Sequence, residues 1–164
     1  MQSIEVIRDA LKMADGVFVA LVSELRSHPL AQATPRGGNH AIWTIGHVAF
    51  VELGLPSILF GEPHPRPEWA PLFNMGTECS TDASKYPSFD EVLSVYQRTR
   101  AATLKLLDQL GDARLAEKPK NVPPGFEKEM VTIGHTFNLL ALHQMMHTGQ
   151  VADIRRALGL PRRA

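Results

Sequence analysis

Apolar residues recur every three or four positions in four separate stretches of this 164-residue chain, and nowhere do they alternate. A period of three to four gathers side chains on one face of a helix, whereas alternation would build a strand. In the first stretch Ile4, Ile7, Leu11, Ala14, Phe18, Leu21 and Leu25 form one stripe on a helix of roughly six turns. "SHPL" ends it, because a proline disfavours helix in the residue before it. Residues 31–42, with Pro35, Gly37, Gly38 and Asn39, read as a loop.

The second stretch begins at "WTIGH", with Thr44 as the expected cap and Ile45, Val48, Val51, Leu55, Ile58 and Leu59 as the apolar face. Pro56 predicts a kink or an early end. Residues 61–87 hold five prolines and little periodicity, so they read as a long crossover that roofs one end. "SFDE" opens the third helix with a capping box of Ser88 and Glu91, followed by Phe89, Val92, Tyr96, Thr99, Thr103, Leu106 and Leu110, with Gly111 as its C-cap. Residues 112–130, with "PPG" at 123–125, form a second long loop. The fourth helix follows Thr132 as cap, and Gly159 and Pro161 stop it. Four amphipathic helices, two of them after long connections, predict an all-α four-helix bundle with long crossover connections, as a single domain over residues 1–164. "TIGH" at 44–47 returns at 132–135, which reads as a shared way of starting a helix, not a repeat.

Seventeen basic and seventeen acidic residues cancel, so no strong field draws the chain to nucleic acid or an anionic membrane, and neither partner is expected. The single cysteine, Cys79, excludes an internal disulfide and fits a cytoplasmic setting. Residues 16–22 are apolar, but charged residues precede them and no cleavage site follows, so no export signal is expected. No segment is expected to reach the ~20 apolar residues that cross a bilayer.

Within the fourth helix, Leu140, His143, His147, Val151, Ile154 and Leu158 step by three or four. Both histidines therefore lie on the core stripe, and their spacing lets both rings reach one point. An unsatisfied buried polar group costs roughly 1–3 kcal/mol, so two adjacent ones need a common explanation, and a metal ion supplies one. Imidazole nitrogens suit zinc, nickel, copper or iron. Two histidines rarely hold an ion alone. His47, on a stripe with Val51, Leu55 and Ile58, is the candidate third ligand from a facing helix. Spacing alone leaves two readings level, a metal site and a hydrogen-bonded core cluster.

"WTIGHVAFVE" at 43–52 followed by "HQMMHTGQVADIRRALG" at 143–159 resembles the DinB-like superfamily of metal-dependent enzymes, whose members carry a histidine early in the second helix after a tryptophan and "HxxxHxGQ" in the fourth. The resemblance covers essentially the whole chain. It implies a four-helix bundle and one divalent metal ion bound by His47, His143 and His147, with zinc or nickel expected ahead of iron, manganese or cobalt. Three neutral ligands leave at least one position open, the pattern of a catalytic site. Such an ion would lower the pKa of bound water or thiol, or polarise a carbonyl. Some relatives use a low-molecular-weight thiol as co-substrate, isomerising maleylpyruvate or transferring the thiol to an electrophile. The resemblance thus implies a thiol-dependent S-transferase or isomerase acting on a small-molecule substrate. A metal-dependent hydrolase, and a non-catalytic bundle that binds a metal or small ligand, are the alternatives. A homodimer is the expected oligomer.

Around this site Gln150 is placed to hydrogen-bond a ligand ring or a bound water, and Glu52 to act as a base or to support a ligand, with a solvated flank as its plain alternative. His135 lies ~12 Å along the axis from His143 and is left out of the metal set. His40 and His64 are expected to be exposed loop residues. Met145 and Met146 are read as packing, not ligands. Trp43 is expected to pack near His47, Trp69 to line the pocket mouth, and Cys79 to be inert. The arginines at 155, 156, 162 and 163 are expected to complement the helix dipole.

Overall fold

The computed structural model describes residues 2–34 and 37–162; Pro35 and Arg163 lie outside the described residues. Among the described residues all regular structure is helical: α1 (Ser3–Ser23), α2 (Ala41–Leu53), α3 (Leu55–Phe60), α4 (Ala70–Phe73), α5 (Phe89–Arg114) and α6 (Ile133–Ala157). The four periodic stretches correspond to α1, α2 with α3, α5 and α6. The crossover adds α4 and two single turns, Pro67–Trp69 and Ala83–Lys85.

Two apolar clusters fix the directions of the helices. One gathers Ile4, Leu11, Leu55, Leu59, Leu107, Ile133 and Phe137. The other gathers Phe18, Val22, Ile45, Val48, Val92, Val151 and Ile154. So α1 and α6 run one way, and α2 and α5 the other. The prolines of 61–87 are what a chain needs to carry α2 back to the start of a helix parallel to it, since they cannot continue a helix.

The helix ends follow local chemistry. The Thr132 side chain accepts from the His135 amide (3.2 Å), and Ser88 accepts from the Glu91 amide (3.2 Å). Glu91 reaches Arg66 (3.3 Å). The start of α2 differs from expectation. It begins at Ala41 with His40 as cap, whose ring nitrogen Nδ1 accepts from the Trp43 amide (3.3 Å). Thr44 lies one turn inside and its hydroxyl donates back to the His40 carbonyl (3.1 Å). His40 is 1% exposed, contrary to its expected exposure, because its other nitrogen is held at the Ser80 carbonyl (2.8 Å). His64 is half-buried, at the Phe50 carbonyl (3.1 Å). Pro56 does mark a break. The chain turns at Gly54, and Pro56 sits in the first turn of α3, where its missing N–H breaks no bond. Gly111 (φ +63°) kinks α5, and one more turn follows to Arg114. Gly159 (φ +75°) closes α6, with the Leu160 amide donating to the Arg155 carbonyl.

Two further expectations are corrected. The stretch Ala41–Phe60 has 20 residues and a mean hydropathy of 1.5, so by length and composition it does reach what a bilayer span needs. Its apolar character has another use here: 72% of its most apolar window is buried inside the bundle. Arg155 is not only a dipole partner. It is 3% exposed and bonded to Glu24 at the end of α1 and to the Pro161 carbonyl (3.2 Å). Arg156 pairs with Asp153 at the surface.

Between the two apolar clusters runs a polar waist. Arg100 of α5 donates to Glu52 of α2 (2.8 Å) and to the Gln144 carbonyl oxygen of α6 (2.6 Å). The Gln144 amide donates to the Tyr96 hydroxyl, which donates to Asp15 of α1. One chain of hydrogen bonds thus links all four long helices beside the layer of the histidines.

Candidate metal centre

Three imidazoles converge at this level. His47 Nε2 lies 3.2 Å from His143 Nε2, and His147 Nε2 lies 3.0 Å from the same atom. All three ligand atoms fall within 4.8 Å of one another. His47 and His147 are buried, and His143 is half-buried.

Each ring is aimed by its own surroundings. His47 Nδ1 lies 2.7 Å from the Phe73 carbonyl of α4, which can only accept, so this nitrogen carries the hydrogen and Nε2 keeps its lone pair. Gly46 makes that contact possible. A Cβ there would stand 2.1–2.4 Å from the Phe73 ring, so only glycine lets α4 lie against α2 closely enough. Trp43 stacks on the other side of His47, with ring centroids 4.6 Å apart and planes at 10°, and is itself anchored by its indole N–H on Thr77 (2.8 Å). His147 Nδ1 lies 2.9 Å from Gln150 Oε1 one turn on. An amide oxygen can only accept, so Nδ1 carries the hydrogen and Nε2 again keeps its lone pair.

Protonation is disfavoured throughout. Burial pushes His47 down to about 4, with His147 adding to the shift and the Phe73 carbonyl opposing it. Burial, reinforced by His147 and His47, pushes His143 down to about 3. His147 is lowered by burial, with Gln150 opposing. At neutral pH all three rings are therefore uncharged bases. With their N–H groups used at Nδ1, His47 and His147 bring lone pairs inward, and His143 has at most one N–H to offer between them. At least one lone pair then faces another without a proton, an arrangement that a cation resolves. The two spacings to His143 also fit. Imidazole nitrogens ~2.0–2.1 Å from a common ion, at angles of about 90–110°, lie roughly 2.9–3.4 Å apart. These three side chains thus suit a divalent metal ion.

The other candidate residues lie apart from this point. Glu52 is 2% exposed, not a solvated flank, and pairs with Arg100. Burial pushes its carboxyl up, opposed by Arg100. Among the described residues no aspartate or glutamate joins the histidine cluster. His135 is exposed and bonded to Thr132. Met145 and Met146 are 46% and 56% exposed, not packed inside as expected. Trp69 is 3% exposed, edge-on to Phe73 and under Arg66, and braces α4 from behind. Cys79 donates to Asn39 (3.3 Å), and burial raises its thiol, as befits an inert sulfur. Sequence reasoning missed Phe73, because a backbone carbonyl 26 residues from His47 leaves no mark in residue type. It also missed Arg100, although a charge four residues after Tyr96 on a core stripe was a usable signal.

Among the described residues the chain is a helical bundle whose second and last long helices bring three neutral imidazoles to one point, where they could hold a metal ion. The sequence matches the DinB superfamily over residues 10–151, and the chain belongs to that superfamily. No curated protein matches it.

Proposed function

We propose that this chain is a cytoplasmic metal-dependent enzyme, holding one divalent ion, zinc or nickel, on His47, His143 and His147, and transferring a low-molecular-weight thiol to a small electrophile. The observation that carries the reading is the convergence of three neutral histidine nitrogens with no fourth protein ligand among the described residues. A bound ion would favour the thiolate form of a thiol over the thiol itself. The chain's own residues do the rest. Phe73 and Gln150 hold two rings in the tautomer that turns Nε2 inward, and Trp43 clamps His47 and keeps water from its outer face. His143, the least buried of the three, marks the side from which a small molecule would enter.

Hydrolysis is the weaker reading. The ion would itself lower the pKa of a bound water, but the one nearby carboxylate that sequence suggested to relay its proton, Glu52, is bound to Arg100 in the waist. A thiol, being far more acidic than water, has less need of such a base.

Cobalt-substituted protein tests this. Millimolar cysteine, glutathione or a related thiol should add a sulfur-to-metal band to its spectrum. His147→Ala should abolish the band and Cys79→Ala should leave it, since the reacting sulfur is external. A spectrum unmoved by the whole panel of thiols removes the transferase reading.

A further inference from the structure

Where α2 and α3 lie against α5 there is a groove of about 490 Å³, and none of the three histidines lines it. Small-molecule sites run from roughly 300 to 1,000 Å³, so its size suits a ligand. From α5 it takes Val95, Arg98, Thr99, Ala102, Thr103 and Leu106. These recur every three or four residues, so they form one face about three turns, ~16 Å, long. Leu53 and Leu55 close the groove from α2 and α3.

Three kinds of surface meet there. The walls are apolar, made by Leu53, Leu55, Val95 and Leu106. The base is polar, because Glu52, Thr99 and Thr103 also line the groove and are 2%, 8% and 3% exposed. Glu52 Oε2 is taken by Arg100 (2.8 Å), whereas Oε1 is buried with no hydrogen-bond partner. The rim is cationic. Arg66 is held by Glu91 (3.3 Å) and lies over the Trp69 ring. Arg98 is exposed and forms no ion pair among the described residues.

From this we infer that the groove is a second binding site, for a small carboxylic acid with an apolar body and a hydroxyl at its far end. The hydroxyl answers the base. Glu52 is already matched in charge by Arg100, so an ammonium would be buried without a counter-ion, while a neutral O–H satisfies Oε1 and adds no charge. The acid answers the rim. A guanidinium without a carboxylate partner favours one on a ligand, and Glu91, the carboxylate two turns before Arg98, is engaged by Arg66. The apolar body answers the walls. A lone water would satisfy Oε1 yet leave Leu53 and Leu106 facing solvent, whereas the hydroxylated acid serves both. Arg98 and Thr103 stand five residues apart on α5, about 7–8 Å, so the body is short. The site shares no residue with the histidine centre and does not depend on the reaction proposed there.

Chemical-shift titration of the full-length, zinc-loaded chain with p-hydroxyphenylpropionate tests this. The probe should move the amide signals of residues 95–106 with a Kd of about 0.1–1 mM. Phenylpropionate lacks the hydroxyl and p-ethylphenol lacks the acid, and each should bind ~10-fold more weakly or worse. Arg98→Gln should bring the full probe down to the affinity of p-ethylphenol. Ala102→Phe, at an exposed position, should fill the groove and abolish binding while the melting temperature holds. Failure of p-hydroxyphenylpropionate to bind overturns the inference. So does equal binding by phenylpropionate, which would leave the Glu52 oxygen to water. Binding that survives Ala102→Phe but is lost in His143→Ala also overturns it, and puts the acid on the metal instead.

Discussion

Two polar layers lie side by side inside this bundle, and they are built on opposite principles. In the waist, Asp15, Tyr96, Gln144, Arg100 and Glu52 alternate donors with acceptors, so each helix answers another. In the histidine layer, three bases of the same kind meet, His47 and His147 lying 3.2 and 3.0 Å from His143. The first layer matches charge with charge, although Glu52 Oε1 and Arg100 Nε and Nη1 are buried without a hydrogen-bond partner. The second is short of positive charge. A buried polar group is retained when it has a partner, so the difference separates a layer that sets how the helices meet from one that waits for an ion.

The largest effect should come from breaking the charge-paired layer. Arg100→Ala leaves the Glu52 carboxyl buried without its partner, and a buried pair broken on one side costs about 3–5 kcal/mol. Urea denaturation of the metal-free protein should show that loss. Glu52→Met with Arg100→Met should recover much of it, since well-packed apolar residues replace such pairs at little cost. A single variant as stable as wild type would mean that the waist does not hold the helices.

The same experiment on the histidine layer should give the reverse. His143→Ala removes a base that lacks a full complement of partners, so the metal-free protein should keep its stability to within about 1 kcal/mol. What it should lose is the gain from metal, about 4 kcal/mol when free zinc exceeds its Kd a thousandfold. Thermal melts with and without zinc check both halves. A metal-free His143→Ala protein that fails to fold would place the histidines in the structural class of the waist.

Two smaller changes sharpen the comparison from the ligand side. Gly46→Ala drives a methyl into the Phe73 ring, so it should destabilise by about 1–3 kcal/mol and displace the carbonyl that orients His47. Gln150→Leu leaves the fold alone and frees His147 to turn. Each should weaken zinc roughly 10–100-fold in a competition with a chromophoric chelator. Unchanged affinity in both would mean that the rings need no orientation.

Acidity should also tell the layers apart. A histidine whose pKa is lowered by folding takes up protons more readily when unfolded, so stability rises with pH across the window between the two values. For His47 that window runs from about 4 in the folded chain to 6.5 in the unfolded one. The metal-free protein should therefore lose stability as pH falls from 6.5 toward 4, and His47→Phe should flatten that slope. An equal slope in the variant would locate the acid sensitivity elsewhere.

Much of the histidine layer was legible because it obeys the helical period: His143 and His147 continue the stripe of Leu140 and Val151, and His47 continues that of Val51 and Leu55. The waist was not, because Glu52 taken alone resembles a solvated flank. Only the pairing of two helices distant in sequence reveals that Arg100 stands opposite it. Caps were legible where serine or threonine supplies an oxygen, as at Ser88 and Thr132. His40 was not, since a histidine nitrogen seldom fills that role. The exposed Met145 and Met146 were misplaced for a related reason. A methionine beside a core stripe reads as core, and only the helix's orientation turns it outward.

The central claim is that the histidine layer is completed by one metal ion. X-ray absorption at the zinc edge, on protein loaded in solution and freed of excess metal, tests it most directly. One zinc per chain should appear, with three imidazole nitrogens ~2.0–2.1 Å away, and the spectrum should lose an imidazole when His143 is replaced by alanine. Zinc well below one per chain, or a first shell of carboxylate oxygen or cysteine sulfur that His143→Ala leaves unchanged, would contradict the account.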